Sequence, residues 1–157
     1  MEQDKKFLKK AIKQAEKSFK KGGFPAGAVV VKDGKIISEG LSLGNLLNDP
    51  TEHSETSAIR KACKKLKTID LSDCTLYCSL QPCLMCFSVA NWAGIKRIVY
   101  GCKKTDQMAK KNYYEGLNQI EEINRKNNHQ IELEYIGDFE NEILDLVKKW
   151  EAKIRKI

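Results

Sequence analysis

The sequence predicts an α/β fold, namely a three-layer αβα sandwich built on a mixed five-stranded sheet. Three observations support this fold class: an early hairpin of two apolar strands, three later short strands separated by helical segments, and apolar helical stripes near both ends. Strands joined by crossover helices form a parallel sheet with helices on both faces, and the hairpin adds antiparallel pairing. The length of 157 residues fits one domain, residues 1–157.

The first part of the chain contains a helix, a hairpin and a second helix. Apolar residues at three- and four-residue spacing between Phe7 and Phe19 predict an opening helix, which Gly22 and Gly23 end. Residues 26–40, AGAVVVKDGKIISEG, predict two strands joined by a tight turn at the Asp-Gly pair of residues 33 and 34. In residues 48–66, NDPTEHSETSAIRKACKKL, we expect a helix capped by Asp49.

The second part alternates strands and helices. CTLYCSL, RIVYGC and IELEYIG predict the three remaining strands, and a helix beginning near Pro82 follows the first of them. A polar segment from about Asp106 to Arg125 is helix-like. A final apolar stripe predicts a closing helix, and its members are Phe139, Ile143, Leu146, Trp150 and Ile154.

Composition narrows the class of protein. No apolar run approaches the roughly 20 residues that a membrane span requires, and the opening residues have helical spacing instead of the apolar block of a signal peptide. Six cysteines without a secretion signal indicate reduced thiols or metal ligands more than a disulfide framework. We therefore expect a cytoplasmic protein that does not enter the membrane.

The net charge of +7 is concentrated at the two ends of the chain. Residues 1–21 hold eight lysines against three acids, and residues 145–157 hold five basic groups against two acids. Two interpretations stay open: solvated helix faces, and an RNA-binding surface built from these ends.

One histidine and two cysteines form a candidate metal site. Cys83 and Cys86 lie three residues apart, so at a helix start their side chains share one face. His53 begins the preceding crossover helix, and the starts of two such helices meet at the same edge of the sheet. Nitrogen and sulfur donors in this number suit zinc with an open fourth position, which water would occupy. A redox pair or two core cysteines would show the same Cys-x-x-Cys spacing.

Other residues qualify this interpretation. Glu55 cannot share a helical face with a residue two positions away, but at the first turn its carboxylate could face the zinc-bound water as a proton acceptor and donor. The other cysteines should be core thiols, although one of them as a fourth ligand would make the site structural: Cys63, Cys74, Cys78 and Cys102. His129 is expected to be an ordinary surface histidine.

His53-Ser54-Glu55 followed by Pro-Cys-Leu-Met-Cys at residues 82–86 resembles the zinc-dependent nucleobase and nucleoside deaminases of the cytidine and deoxycytidylate deaminase superfamily. The resemblance runs from about Gly27 to Gly101. It implies a cytidine deaminase-like fold, Zn²⁺ bound by His53, Cys83 and Cys86, and Glu55 as the catalytic proton shuttle. The implied reaction is the hydrolytic removal of an exocyclic amine as ammonia.

Within the superfamily the sequence is most similar to the bacterial guanine deaminases and the tRNA adenosine deaminases. The resemblance implies a small base or nucleoside substrate, guanine-like first and cytosine-like second, with Ala28, Ser42 and Trp92 in the substrate site. A core aromatic on an inward helix face is the other interpretation of Trp92. A tRNA adenosine deaminase, and a non-catalytic zinc or redox module, are the alternatives. Relatives are commonly oligomers, so a homodimer is also implied.

Three positions depart from the pattern of the relatives. Ser42 stands where they usually carry an asparagine that hydrogen-bonds the base, Ser54 replaces an alanine, and Gln81 replaces a glutamate. In addition, no aromatic residue occurs in the terminal KIRKI, where guanine deaminases contribute one to the pocket. These departures bear on the specificity more than on the chemistry.

Overall fold

A computed structural model describes residues 1–154. The first half comprises α1 (Glu2–Lys20), β1 (Gly27–Lys32), β2 (Lys35–Leu41), a short α2 (Gly44–Leu47) and α3 (Ser54–Leu66). The second half comprises β3 (Cys74–Cys78), α4 (Leu84–Trp92), β4 (Arg97–Tyr100), α5 (Asp106–Lys110), α6 (Ile120–Lys126), β5 (Glu132–Tyr135), a 3₁₀ turn (Gly137–Phe139) and α7 (Glu140–Ile154).

The sheet has the strand order β2-β1-β3-β4-β5. β1 pairs antiparallel with both β2 and β3, whereas β3, β4 and β5 run parallel. The predicted mixed sheet is thus confirmed. Asp33 and Gly34 make the turn between β1 and β2 with φ angles of 51° and 73°, the left-handed conformation that the Asp-Gly pair favours.

Each face of the sheet is covered by helices, as the three-layer prediction requires. β1 alternates strictly, so Val29 and Val31 pack toward α1 and α7, and Ala28 and Val30 pack toward α3 and α4. Phe87 of α4 is completely buried in the second of these layers. Tyr77 and Cys78, at the carboxyl end of β3, each belong to one of the two apolar clusters, so this end of the strand is packed on both faces of the sheet.

Two predicted helices have different bounds in the structure. The helix expected from Asp49 begins at Ser54, because the Asp49 carboxylate accepts bonds from the amide and hydroxyl of Thr51 and closes a separate turn. The polar segment expected as one helix is divided into α5 and α6 by a loop of residues 111–119. Within residues 1–154, none of the helices has both the length and the apolar content needed to span a bilayer.

Candidate metal centre and active site

A cavity of about 340 Å³ opens at the edge of the sheet where α3 and α4 begin. Its volume lies near the lower end of the range for small-molecule sites, roughly 300–1,000 Å³. Five stretches of the chain line it: the segment before β1, the end of β2, residues 53–55, residues 80–83, and the loop of residues 111–119, with Trp150 of α7. The cavity therefore includes the segments that carry the His-x-Glu and Pro-Cys motifs, together with several segments that sequence analysis did not assign to a site.

His53 is the N-cap residue of α3 and has an extended backbone. The Thr56 hydroxyl fixes this conformation, since it accepts a 3.1 Å bond from the His53 amide and donates to the Thr51 carbonyl oxygen. Gly40 of β2 allows α3 to approach, because a Cβ atom there would come far inside 3.0 Å of the Ser54 carbonyl oxygen. The start of α3 thus lies in close contact with β2, and His53 lies at the edge of the sheet.

Cys83 and Cys86 are brought to the same point from α4. Cys83 is the N-cap residue, and Cys86 lies in the first turn. Their Sγ atoms each stand 3.5 Å from His53 Nδ1, and all three donor atoms lie within 4.8 Å of one another. Tetrahedral zinc, with Zn–N of about 2.0–2.1 Å and Zn–S of about 2.3 Å, places such donors about 3.5 Å apart. The donor set and its spacing fit zinc.

Hydrogen bonds at the site favour the thiolate form of one cysteine, Cys83. A hydrogen bond from Cys86 and, more weakly, one from His53 outweigh burial and lower the pKa of Cys83 to about 6. The hydrogen bond to Cys83 and burial raise the pKa of Cys86 well above its ordinary value. The bond to Cys83 also raises the pKa of His53, against the effect of burial. Because zinc binds thiolates, its binding would release the remaining thiol proton.

None of the other cysteines joins this cluster among residues 1–154. Cys74, Cys78 and Cys102 are buried and Cys63 is half-buried, as expected for packed thiols. His129 is exposed and bonded at 2.8 Å to the Ile95 carbonyl oxygen. The part of the chain that the structure describes thus provides three protein ligands and no fourth cysteine to close the site.

Glu55 lines the same cavity as the metal ligands and is only 7% exposed. The cluster of His53, Cys83 and Cys86 does not include it. The fully buried Ser54 hydroxyl donates a hydrogen bond to Glu55 Oε1. Ser54, one of the departures from the relatives, therefore orients a carboxylate oxygen.

The residues expected to contact a substrate have different positions. Ser42 lines the cavity, and its amide is fixed by a 3.0 Å bond to the Ser18 hydroxyl. Ala28 does not line the cavity, because the alternation of β1 turns the Ala28 side chain toward α3. Ala26, which precedes the strand, lines the cavity instead. Trp92 is 86% exposed on the outer side of α4, so it neither lines this cavity nor packs in the core.

Comparison with known proteins agrees with this geometry. Residues 1–102, which include every candidate ligand, match the pattern of the cytidine and deoxycytidylate deaminase zinc-binding region. The chain belongs to this family. Zinc is therefore the metal that the family and the donor set both indicate for His53, Cys83 and Cys86.

Three relatives illustrate the similarity. A guanine deaminase of Bacillus subtilis (strain 168) is 48% identical over 101 residues, which are 64% of this chain and 65% of the relative. A tRNA-specific adenosine deaminase of Aquifex aeolicus (strain VF5) is 42% identical over 94 residues, 60% of this chain and 62% of the relative. Each match thus covers less than two thirds of the relative. A solved tRNA:A34 deaminase structure superimposes with a TM-score of 0.77 at 28% identity, over 90% of this chain and 99% of that one.

This deaminase-family chain also has an aromatic wall that the sequence pattern did not reveal. Phe24, Tyr113 and Trp150 pack edge to face or tilted, with ring centroids 4.9 to 5.7 Å apart, and all three line the cavity. The sequence pattern indicates Trp150 only as a member of the apolar stripe of the closing helix. Its helical spacing gave no sign of the cavity, because the loop that meets it is about 40 residues distant in sequence. Arg155, Lys156 and Ile157, in the terminal segment without an aromatic residue, lie outside the described residues.

Gln81 connects the ligand segment to its surroundings. Its side chain donates a 3.0 Å bond to Glu121 and accepts a 2.8 Å bond from the Lys104 amide, and its carbonyl oxygen accepts a 2.7 Å bond from the Tyr114 hydroxyl. A glutamate at this buried position would place its carboxylate beside that of Glu121. Glutamine at position 81 therefore pairs with Glu121 of α6 as a hydrogen-bond donor, which a glutamate could not do.

Proposed function

We propose that residues 1–157 form one zinc-dependent deaminase domain that removes an exocyclic amine from a nucleobase or nucleoside by hydrolysis. His53, Cys83 and Cys86 are the zinc ligands in this proposal, and Glu55 is the catalytic proton shuttle. The observation that supports it most strongly is the 3.5 Å separation of His53 Nδ1 from each thiol sulfur, beside a cavity that Glu55 also lines. Family membership supports the same assignment.

The chemistry follows from the donors at the cavity. When bound, zinc makes water a competent nucleophile near neutral pH. Glu55 accepts the proton of the attacking water and transfers it to the ring nitrogen beside the reacting carbon. A second transfer through Glu55 protonates the amine, the carbon–nitrogen bond breaks, and ammonia leaves while a carbonyl forms. The Ser54 hydroxyl holds one oxygen of Glu55, and in this proposal the other oxygen carries the proton.

The substrate in this proposal is a small base or nucleoside, guanine-like first and cytosine-like second. The 48% identical relative is named a guanine deaminase. The cavity of about 340 Å³ suits a small molecule, and its aromatic wall offers ring faces to a base. The Ser42 hydroxyl can donate one hydrogen bond and accept others at the base edge, a pairing that differs from that of an amide.

The test is ammonia release by the zinc-loaded protein against guanine, guanosine, adenine, adenosine, cytosine, cytidine and the corresponding monophosphates. We expect release from one member of this panel, and none from the Glu55→Ala variant. If the zinc-loaded protein released no ammonia from any compound in the panel, the small-molecule proposal would be rejected.

A tRNA adenosine deaminase is the second candidate. Its support is the 42% identical tRNA-specific relative and a row of lysines along the exposed side of α1, Lys10, Lys13, Lys17 and Lys20, which borders a surface groove. Phosphate contacts release counterions, so RNA binding through this row would weaken steeply as salt rises. Salt-insensitive or absent binding to a tRNA anticodon stem-loop would reject this candidate.

A homodimer and a cytoplasmic location complete the proposal. α4 is mostly apolar although only Cys86, Phe87 and Ala90 of it are buried, so Trp92 presents an uncovered aromatic surface to a second copy. Light scattering should give twice the chain mass for the wild type and the mass of one chain for the Trp92→Glu variant.

The proposed cytoplasmic location rests on the cysteines. Six free cysteines suit a reducing compartment.

A further inference from the structure

The turn that carries both cysteines has an unusual N-terminal cap. The amides in the first turn of a helix have no partner within the helix, and the N-cap side chain normally satisfies one of them. Cys83, the N-cap residue of α4, does not accept from the amides of Leu84 and Met85, and in the proposed site its sulfur is committed to zinc. The amides of Leu84 and Met85 are therefore available to bind another group.

Glu115 supplies that group. Its Oε1 accepts a 3.0 Å bond from the Leu84 amide, and its Oε2 accepts a 3.0 Å bond from the Met85 amide. Both carboxylate oxygens are used, so the carboxylate is held in one orientation across the first turn. The residue as a whole is exposed, yet its negative charge lies at the positive end of the helix dipole. Glu115 thus acts as the cap of α4 from a distance of about 30 residues in sequence.

The same loop forms part of the cavity wall. Tyr114 donates its hydroxyl to the Gln81 carbonyl oxygen at 2.7 Å, two residues before Cys83. Tyr113 donates to Glu151 of α7 at 2.6 Å. Residues 113–115 therefore form a continuous bridge from α7, past the cavity, to the turn that holds the sulfur donors. Displacing Glu115 would loosen that turn and the wall together.

From these contacts we infer that Glu115 is a positioning residue for the Cys83–Cys86 pair. It holds the first turn of α4 in the conformation that directs both sulfur atoms toward His53, and it fastens the cavity wall to that turn. Its role is in zinc retention, and it transfers no proton to the substrate. This inference rests on the proposed zinc site, and it adds a residue outside the His-x-Glu and Cys-x-x-Cys motifs on which that site depends.

The test is zinc affinity, measured by competition with a chromogenic chelator, for the wild-type chain, Glu115→Gln and Glu115→Ala. Glutamine keeps its length but opposes one amide donor with its own NH₂ group, so we expect zinc affinity to fall at least about 10-fold, as for other residues that support metal ligands. Alanine should cost more. Glu122→Gln is the matched control, because Glu122 is an exposed acid on α6. The zinc affinity of this variant should equal that of the wild type.

A second readout separates positioning from a general loss of stability. Cobalt in place of zinc reports ligand geometry through its visible absorption, and we expect the Glu115→Gln spectrum to differ from that of the wild type while the circular dichroism spectra coincide. Zinc affinity within twofold of the wild type, together with an unchanged cobalt spectrum, would overturn the inference and leave the proposed function standing. Failure of the wild-type chain itself to bind zinc would overturn both.

Discussion

The ion pair between Asp4 and Arg97 provides a stability prediction whose magnitude follows from the structure. Asp4 on α1 is only 9% exposed, and the two guanidinium nitrogens of Arg97 on β4 donate to its two oxygens at 2.8 and 2.7 Å. The Tyr77 hydroxyl adds a bond of 2.7 Å. Arg97 is the largest influence, and the combined effect lowers the pKa of Asp4 from 3.8 to about 2 despite burial.

This lowered pKa converts into stability with a definite sign. The folded state binds the proton less tightly than the unfolded chain, so the contribution is complete above the ordinary pKa of 3.8 and is lost as pH falls through about 2. A difference of about 1.8 pKa units corresponds to about 2 kcal/mol at pH 7. At pH 3 roughly half of that contribution remains.

The perturbation is Asp4→Asn, which keeps the shape of the side chain and removes its charge. We expect the variant to lose about 2 kcal/mol of unfolding free energy at pH 7, and the gap to the wild type to narrow by about 1 kcal/mol at pH 3. The assay is urea unfolding of both chains, with chelator present so that metal release does not contribute. Glu2→Gln removes an exposed acid from the same helical turn and serves as the control. A gap that is equal at the two pH values would refute the reasoning.

Three further predictions concern the site. Cys86→Ala should abolish stoichiometric zinc binding, because it leaves two protein ligands, and metal analysis of the purified variant checks this. Gln81→Glu should destabilise the fold by about 1 kcal/mol or more, since it replaces a donor to Glu121 with a second carboxylate in a buried position, and thermal unfolding would detect it. Trp150→Ala should raise KM more than it lowers kcat and leave zinc affinity unchanged, because the ring contacts the cavity and not the ligands; an unchanged KM would contradict that assignment.

Most of the fold was predictable because its signals are local. A run of apolar residues identified β1, and the Asp33-Gly34 pair identified the hairpin turn. The convergence of His53 with Cys83 followed from a topological rule about where crossover helices begin, and it needed no knowledge of side-chain contacts. Sequence patterns therefore predicted both the layers and the position of the candidate metal centre.

What could not be predicted depends on long-range packing. The separation of Glu115 from α4 in sequence, and that of Trp150 from Phe24, leave no periodic pattern to detect. Trp92 illustrates the opposite case. A resemblance placed it at the substrate and its apolar neighbours suggested the core, but Phe87 and Ala90 occupy the inner face of α4, and a residue two positions beyond Ala90 points outward. The assignment of an aromatic residue to a cavity requires the tertiary structure.

The measurement that tests the central claim most directly compares zinc content and ammonia release in the wild-type chain and Glu55→Gln. The amide keeps the size of Glu55 and its bond to Ser54 but cannot accept the proton of water. We predict one zinc per chain in both proteins, with ammonia released from the accepted base by the wild type alone. Ammonia release at the wild-type rate by a zinc-loaded Glu55→Gln chain would contradict the assignment of Glu55 as the proton shuttle.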